Sequence, residues 1–316
     1  MAKVVVTGGV GFIGYHTSRA LLSRGDVVVI LDDFSNAPYP TEQKRRNAAD
    51  LRADFADRVV VHEGTVTSRS AVSDALDGAD SVIHLAGLAG VRPSFADPAR
   101  YVAVNVEGTV NVLETAYARG ILRVCAASSS SVYGDDTPLP AVEEAPSIEP
   151  ASPYAASKRA MELVARACVR RMPELTFTAL RFFTVYGPRQ RPEMAITKFS
   201  RALLAGQPLP IFGDGSMRRD FTHVSDIVRG VLAAEARISP GFRAYNLGSG
   251  APVTLRELVD ALEVASGVKP TLVHQGKPLG DVEATFADIS RARAELDWSP
   301  KVRLPEGLQT VFDWLR

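Results

Sequence analysis

Proton-transfer chemistry could be built from the residue types gathered between Ser128 and Lys158. Four consecutive serines, Ser128 to Ser131, run into Val132-Tyr133-Gly134, and an acidic, Pro-rich loop then leads to Tyr154-Ala-Ala-Ser-Lys158. If Tyr154 opens a helix, Lys158 stands one turn further along the same face. A phenol with an ordinary pKa of about 10 is a poor base at neutral pH. A nearby ammonium favours the phenolate and lowers that pKa, so that Tyr154 can exchange a proton with a substrate hydroxyl, and a serine hydroxyl could hold the same oxygen. Alone, the Tyr-x-x-x-Lys spacing suits any helix with one half-buried Tyr and one solvated Lys. Its neighbours in the chain give it meaning.

Those neighbours are the elements that must position it. Lys3 to Thr7 is a short β-branched run, followed by Gly8-Gly9-Val10-Gly11-Phe12-Ile13-Gly14 and a helical pattern through Leu21 and Leu22 to Gly25. Gly8, Gly11 and Gly14 thus lie between a first strand and a helix, the context in which glycines let a pyrophosphate meet a helix N-terminus. A second strand, Val27 to Leu31, ends in Asp32-Asp33, eighteen residues beyond Gly14; an acidic residue about 20 residues on accepts from the adenosine ribose hydroxyls. A carboxylate there repels a 2′-phosphate, so NAD is expected rather than NADP, and Lys44, Arg45 and Arg46 are expected to form a solvated face. Further strands are read at Val59–His62, Ser81–Ala86, Leu122–Ser128 and Thr176–Phe182, with a helix from Val102 to Arg119 that Asn105 opens. Strands and helices alternating at this pitch imply a Rossmann-type, doubly wound parallel α/β sheet, with ligands beyond the strand C-terminal ends. His84, at one such end, is read as a strand histidine hydrogen-bonded within the sheet.

Bulk composition narrows the partners. A chain of 316 residues, 46% hydrophobic, can bury one large α/β domain and a smaller lobe. Lys plus Arg and Asp plus Glu each total 36, so no net field argues for nucleic acid, and a small-molecule ligand is expected. Cys125 and Cys168 have neither zinc-like nor redox-like spacing and read as buried thiols; no metal is expected. With a strand starting at Lys3 and no apolar run near the ~20 residues a bilayer needs, a cytoplasmic, non-membrane setting is expected.

The set of motifs resembles the extended short-chain dehydrogenase/reductase superfamily, and within it the nucleotide-sugar epimerases. It comprises Gly8–Gly14, His84–Gly87, Asn105–Thr109, Ser128–Gly134, Tyr154–Lys158, Arg181–Pro188, Arg218–Phe221 and Gly280–Val282, spanning nearly the whole chain. The resemblance implies Tyr154, Lys158 and Ser129 as catalytic residues and a tightly held NAD contacted by Gly8, Gly11, Phe12, Ile13, Gly14, Asp32, Leu85, Ala86, Asn105, Tyr154 and Lys158. Thr65 departs from the pattern, standing where the family often places an Asp against adenine. The resemblance also implies a discontinuous second lobe, with residues 1–182 plus about 220–248 holding NAD and about 183–219 plus 249–316 holding a nucleotide-sugar. A homodimer is expected through the helices near Tyr154 and Val102–Arg119.

Relatives of this kind perform 4-epimerisation, 4,6-dehydration or decarboxylation, each beginning with oxidation at C4. Ser130 and Ser131 stand where dehydratases carry Asp and Glu and where uronate decarboxylases carry Glu, and a serine cannot replace those carboxylates. Epimerisation needs neither. The segment Thr184 to Pro192 resembles the uronate epimerases more than the glucose epimerases, which usually carry Asn where Thr184 stands. Gly90-Val-Arg-Pro-Ser94 resembles the same subgroup, with Pro93 in place of its usual Tyr, and brings in Arg92. Arg191 is the candidate for a C6 carboxylate, with Thr184, Ser130 and Ser131 supplying hydroxyl donors, while Ser129 meets the substrate as the catalytic serine. Lys198, Phe212, Arg219 and Asp281 are implied on the UDP side. The expected reaction is the interconversion of UDP-glucuronate and UDP-galacturonate. UDP-glucose 4-epimerisation is the nearest alternative, and a non-catalytic NAD or nucleotide-sugar binding protein is the alternative of another class.

Overall fold

The computed structural model describes residues 1–36, 39–146, 149–276 and 283–316; the side chain of Phe212 and all of Gly280-Asp281-Val282 lie outside the described residues. Seven parallel strands form the central sheet in the order β3-β2-β1-β4-β5-β6-β11: β1 (Lys3–Thr7), β2 (Val27–Asp32), β3 (Val59–Glu63), β4 (Ser81–His84), β5 (Arg123–Ser129), β6 (Thr176–Phe182) and β11 (Gly241–Leu247). Strand order reverses beside β1, which leaves a crevice between the C-terminal ends of β1 and β4. The β-branched runs explain the strands. Along β1, Val4 and Val6 join one apolar cluster and Val5 the other, and along β2 Ile30 opposes Val29 and Leu31 in the same way. Side chains alternate across a strand, so helices must cover both faces.

One face is covered by α1 (Phe12–Arg24), α2 (Thr41–Phe55) and α9 (Val224–Ala236), through Leu21, Leu51 and Ile227. The other is covered by α3 (Arg69–Ala75), α6 (Gly108–Ala118) and α7 (Pro153–Val169), through Val72, Leu113 and Met161. Each such side chain contributes roughly 1.5–3 kcal/mol by leaving water. A third cluster, separate from the sheet, joins α8 (Ala195–Leu204), β8 (Leu209–Phe212), α10 (Leu255–Ser266) and α12 (Leu304–Leu315) through Phe199, Ile211, Leu258 and Phe312. Short strands β7 (Thr184–Tyr186) and β10 (Phe221–His223) pair parallel beside it. Among the described residues no helix is long and apolar enough to cross a membrane.

Two expected elements come out differently. The strand expected to reach Ala86 ends at His84, because the Ala86 N–H turns to the Thr7 hydroxyl (3.2 Å) instead of continuing the ladder. The single helix expected from Val102 to Arg119 is instead α5 (Pro98–Val102), a π-turn over Ala103–Glu107, and α6. Such one-turn insertions occur where a side chain must be re-aimed. Here Asn105 leaves the helical register to hold Leu88, accepting from its N–H (2.8 Å) and donating to its carbonyl (3.0 Å). Cys125 is buried as expected, whereas Cys168 is only half-buried.

Candidate active site

Ser152 caps α7 by accepting from the Ala155 N–H, and Pro153 follows at the first helical position, so the helix starts one residue before Tyr154. At the end of β5 the Ser129 oxygen accepts from the Ser131 N–H (3.1 Å), which turns the chain into a 3-10 turn over Ser130–Tyr133. The Ser129 proton is left to donate toward the phenol. The Tyr101 ring of α5 packs edge-on against the Tyr154 ring, 6.2 Å between centroids. Burial raises the Tyr154 pKa, opposed by the Ser129 hydroxyl and the Arg191 charge. This corrects the expectation that Lys158 lowers it. The Lys158 ammonium is turned to the Ala127 carbonyl (2.9 Å) at the end of β5, and burial lowers its own pKa to about 8 against the pull of Glu162. His84 meets Thr7 of the neighbouring strand through Nδ1 (2.7 Å), as expected within the sheet, but its Nε2 leaves the sheet for Thr109 of α6 (3.0 Å), and burial holds its pKa down at about 3.

A buried charged network underlies these groups, and sequence reading missed it. Glu162, one turn beyond Lys158, receives Arg181 Nε (2.9 Å) and Nη2 (2.7 Å) together with the Ser128 hydroxyl (2.5 Å). Arg181 also donates to the Tyr133 hydroxyl (2.9 Å), which donates to Asn246 (2.5 Å). The i,i+4 spacing from Lys158 to Glu162 was visible; the Arg181 partner, on another strand, was not.

The cofactor side fits a dinucleotide. A side chain at Gly14 would meet the Gly8 carbonyl oxygen at 2.0 Å, and one at Gly8 would meet Ala86 N at 2.7 Å. Helix α1 begins at Gly11 without a side-chain cap and without an acid in its first turn, so its N–H groups point open toward an anion. Gly8, Gly11, Phe12, Ile13, Gly14, Asp32, Leu85, Ala86, Tyr154 and Lys158 line one cavity of about 1290 Å³. Asn105 does not line it but braces its wall, donating to Ser157 (2.9 Å) as well as holding Leu88. Asp32 accepts from Phe34 N (3.0 Å) and Lys44 Nζ (3.0 Å). Lys44 is therefore no solvated residue: it is buried on Asp32, while Arg45 and Arg46 stay exposed on Glu63 and Glu42. Lys44 lies on the α2 face that turns to β2, and its charge is balanced there by Asp32. Thr65 lines the same cavity with its hydroxyl shared with Thr67 (2.9 Å).

The same cavity continues between sheet and third cluster, where Arg92, Ser129, Ser130, Ser131, Thr184, Arg191, Lys198 and Arg219 line it. Arg191 is 18% exposed, 3.3 Å from Glu193, and rests on the Met194 thioether at 3.2 Å. A thioether is a weak acceptor, so much of the guanidinium's donor capacity stays available. Arg219 donates to the carbonyls of Arg218 (2.9 Å) and Glu283 (3.3 Å). Phe212 is on β8 without a described side chain, and Asp281 lies outside the described residues. Met217 and Thr285, which line the cavity, were not anticipated; they carry no motif by which they could have been found.

Residues 4–248 match the family model "NAD dependent epimerase/dehydratase family". The chain belongs to that family. Within it, the chain is 34% identical over 317 residues to a UDP-glucuronate 4-epimerase of Thermodesulfobacterium geofontis, covering 99% of this chain and 96% of that protein. It is 40% identical to UDP-glucuronate 4-epimerase 5 of Arabidopsis thaliana, covering 98% of this chain and 74% of that one. Among solved structures it superposes on UDP-glucuronic acid 4-epimerase from Bacillus cereus in complex with UDP-glucuronic acid and NAD. That match has a TM-score of 0.89 at 34% identity and covers 99% of this chain and 98% of that one. This epimerase/dehydratase-family cavity thus combines a glycine-loop helix, a Ser-Tyr-Lys set and an arginine held by Glu193 and the Met194 thioether.

Proposed function

We propose that the chain interconverts UDP-glucuronate and UDP-galacturonate through a 4-keto sugar, and the observation that carries this is Arg191 lining the same cavity as Tyr154. Its charge acts on the Tyr154 and Tyr101 phenols, and its weak thioether partner is one that a C6 carboxylate readily displaces. A neutral hexose would leave that charge facing a hydroxymethyl group, which disfavours the UDP-glucose reading. The full-length relatives named above point the same way.

NAD, when bound, supplies the acceptor and donor of the C4 hydride, so the reaction has no net redox change. Tyr154 takes the C4-hydroxyl proton as its phenolate, which the Ser129 hydroxyl and the Arg191 charge favour against burial, and returns it after the keto sugar has turned. Ser129 donates to the same oxygen, and the α1 N-terminus with Gly8 and Gly14 binds the cofactor's pyrophosphate. Arg191, with Thr184, Ser130 and Ser131, holds the carboxylate. A 4-keto uronate is a β-keto acid that loses carbon dioxide when its carboxylate turns out of the sugar plane, so this grip both recognises the substrate and suppresses decarboxylation. Lys198, Arg219, Phe212 and Asp281 are assigned to the UDP moiety.

The lobes are assigned as residues 1–182 plus about 220–248 for NAD and about 183–219 plus 249–316 for the nucleotide-sugar. We infer a cytoplasmic homodimer, supported by the exposed apolar Val102 of α5 and Leu163 of α7, 54% and 51% exposed; sedimentation would report the dimer mass, and a monomer at micromolar concentration would contradict it. The function is tested by incubating purified protein with UDP-glucuronate, without and with added NAD, and separating the products. UDP-galacturonate of unchanged mass without UDP-pentose is expected. Conversion of UDP-glucose but not UDP-glucuronate would overturn the uronate reading, and binding without turnover of either would leave a sensor.

A further inference from the structure

The segment between β7 and α8 carries a residue that touches neither the cavity nor the sheet yet holds both ends of the site. Pro188 and Arg189 lie three and two residues before Arg191. The Pro188 carbonyl meets His16 Nε2 on α1 at 2.9 Å. Arg189 is one of the few non-glycine residues in the left-handed region among the described residues, at φ 65, a conformation that L-residues with a side chain rarely adopt. Such strain persists only where surrounding contacts impose it. Here the contacts are specific. The guanidinium lies 4.2 Å from the centre of the Tyr15 ring on α1, and donates to Asn47 Oδ1 (2.5 Å) and Asp50 Oδ2 (2.6 Å) on α2. The Arg189 carbonyl accepts from the Tyr39 hydroxyl at 2.9 Å.

These partners form the cofactor wall. Asn47 donates to the Val10 carbonyl in the glycine turn (2.8 Å). Tyr39 lines the cavity, as does Lys44, one turn before Asn47 on α2 and bonded to Asp32. In the other direction the connection to the sugar side is stiff: Gln190 is buried, donates to the Val185 carbonyl (2.6 Å) and accepts from Thr197 (2.9 Å). Arg191 follows directly.

We propose that Arg189 is a positioning residue, a latch that clamps the glycine turn and α2 over bound NAD and at the same time sets Arg191 against the sugar. The proposal rests on the reading that this cavity holds NAD and a UDP-uronate. It accounts for the strained backbone, which lets one residue present its side chain to α1 and α2 while its carbonyl meets Tyr39. It also gives the enzyme a reason to keep NAD through many turnovers, since the wall that would have to open is tied to the segment that grips the substrate.

The test uses Arg189→Ala, Arg189→Lys and Asp50→Asn holoenzymes, each checked for an unchanged circular dichroism spectrum. Exchange of bound NAD against isotope-labelled NAD is followed without substrate, and the KM and kcat for UDP-glucuronate are then measured. Loss of charge-assisted hydrogen bonds predicts exchange faster by on the order of tenfold or more for Arg189→Ala, with KM raised and kcat changed less. Lys keeps the charge but cannot bridge Asn47 and Asp50 or stack on Tyr15, so Arg189→Lys should fall between. Asp50→Asn, at a side chain 43% exposed, should shift both readouts in the same direction by less, and it serves if Arg189→Ala does not fold. Wild-type exchange and KM in folded Arg189→Ala or Asp50→Asn protein would overturn the proposal. Faster exchange with an unaltered KM would overturn the coupling to Arg191. Because exchange needs no turnover, a wild-type enzyme that binds NAD but fails on UDP-glucuronate would refute the functional reading and leave the latch tested.

Discussion

The floor of the cavity and the strap across it hold their functional side chains by different means. In the floor, made by β5, β6 and α7, Arg181 and Glu162 have side chains 0% and 1% exposed, and Ser128, Tyr133 and Asn246 complete their hydrogen bonds. Removing one member of such a set leaves a charge buried without a partner. In the strap, Thr184 to Met194, Arg191 leans on a thioether and on Glu193, whose side chain is 54% exposed. Surface pairs of that kind contribute little. The difference separates two tasks. Proton transfer needs Tyr154 and Ser129 fixed within tenths of an ångström, whereas substrate recognition needs a cation that can trade a weak partner for the substrate's carboxylate.

Mutations should divide along that line. The largest effect is expected for Tyr154→Phe, with kcat lower by roughly 10²–10⁴-fold and little change in UDP-sugar affinity by calorimetry; unchanged turnover would remove Tyr154 as the base. Next is Glu162→Ala, which strands Arg181 in the floor and should cost about 3–5 kcal/mol in urea unfolding. A loss near zero would mean that the network does not support the site.

Lys158 gives a pH-dependent test. Lowering its pKa from 10.5 to about 8 corresponds to about 3 kcal/mol. Below about 8 the folded and unfolded chains both carry the proton, and the folded enzyme bears the whole cost of burying the charge. Between about 8 and 10.5 the unfolded chain binds more protons, so stability rises with pH. Lys158→Met should therefore be more stable than wild type at pH 7, with the gain shrinking across that window. A gain independent of pH would contradict the assignment. The smallest effect falls on the strap: Arg191→Ala should raise the KM for UDP-glucuronate by about ten- to a hundredfold, the loss of hydrogen bonds to a charged group, and release UDP-pentose. If neither changed, Arg191 would not hold the carboxylate.

The division also tracks what could be read from the chain. The β-branched and aromatic runs at Lys3–Thr7 and Thr176–Phe182 have the bounds expected of them, because buried parallel strands are written in local sequence of those residue types. Tyr154 and Lys158 were legible because their spacing follows a glycine-rich strand-to-helix turn and a run of serines. Lys44 was not, since burial depends on Asp32 arriving from β2, and a Lys-Arg-Arg run looks the same whether one member faces inward or none does. The π-turn at Asn105 was equally hidden: its cause is the Leu88 backbone on another segment. Arg181 with Glu162, and Arg189 with its positive φ, depend on contacts distant in sequence. Local periodicity gave the scaffold; long-range charge pairing placed the charges upon it.

The central claim is that C4 is oxidised and reduced by the same hydride while the carboxylate stays in place. It is tested most directly with UDP-glucuronate deuterated at C4, incubated with the enzyme in ordinary water and read by mass and NMR. The account predicts UDP-galacturonate with deuterium retained at C4. Loss of the label to solvent, or its appearance in a UDP-pentose in place of UDP-galacturonate, would contradict it.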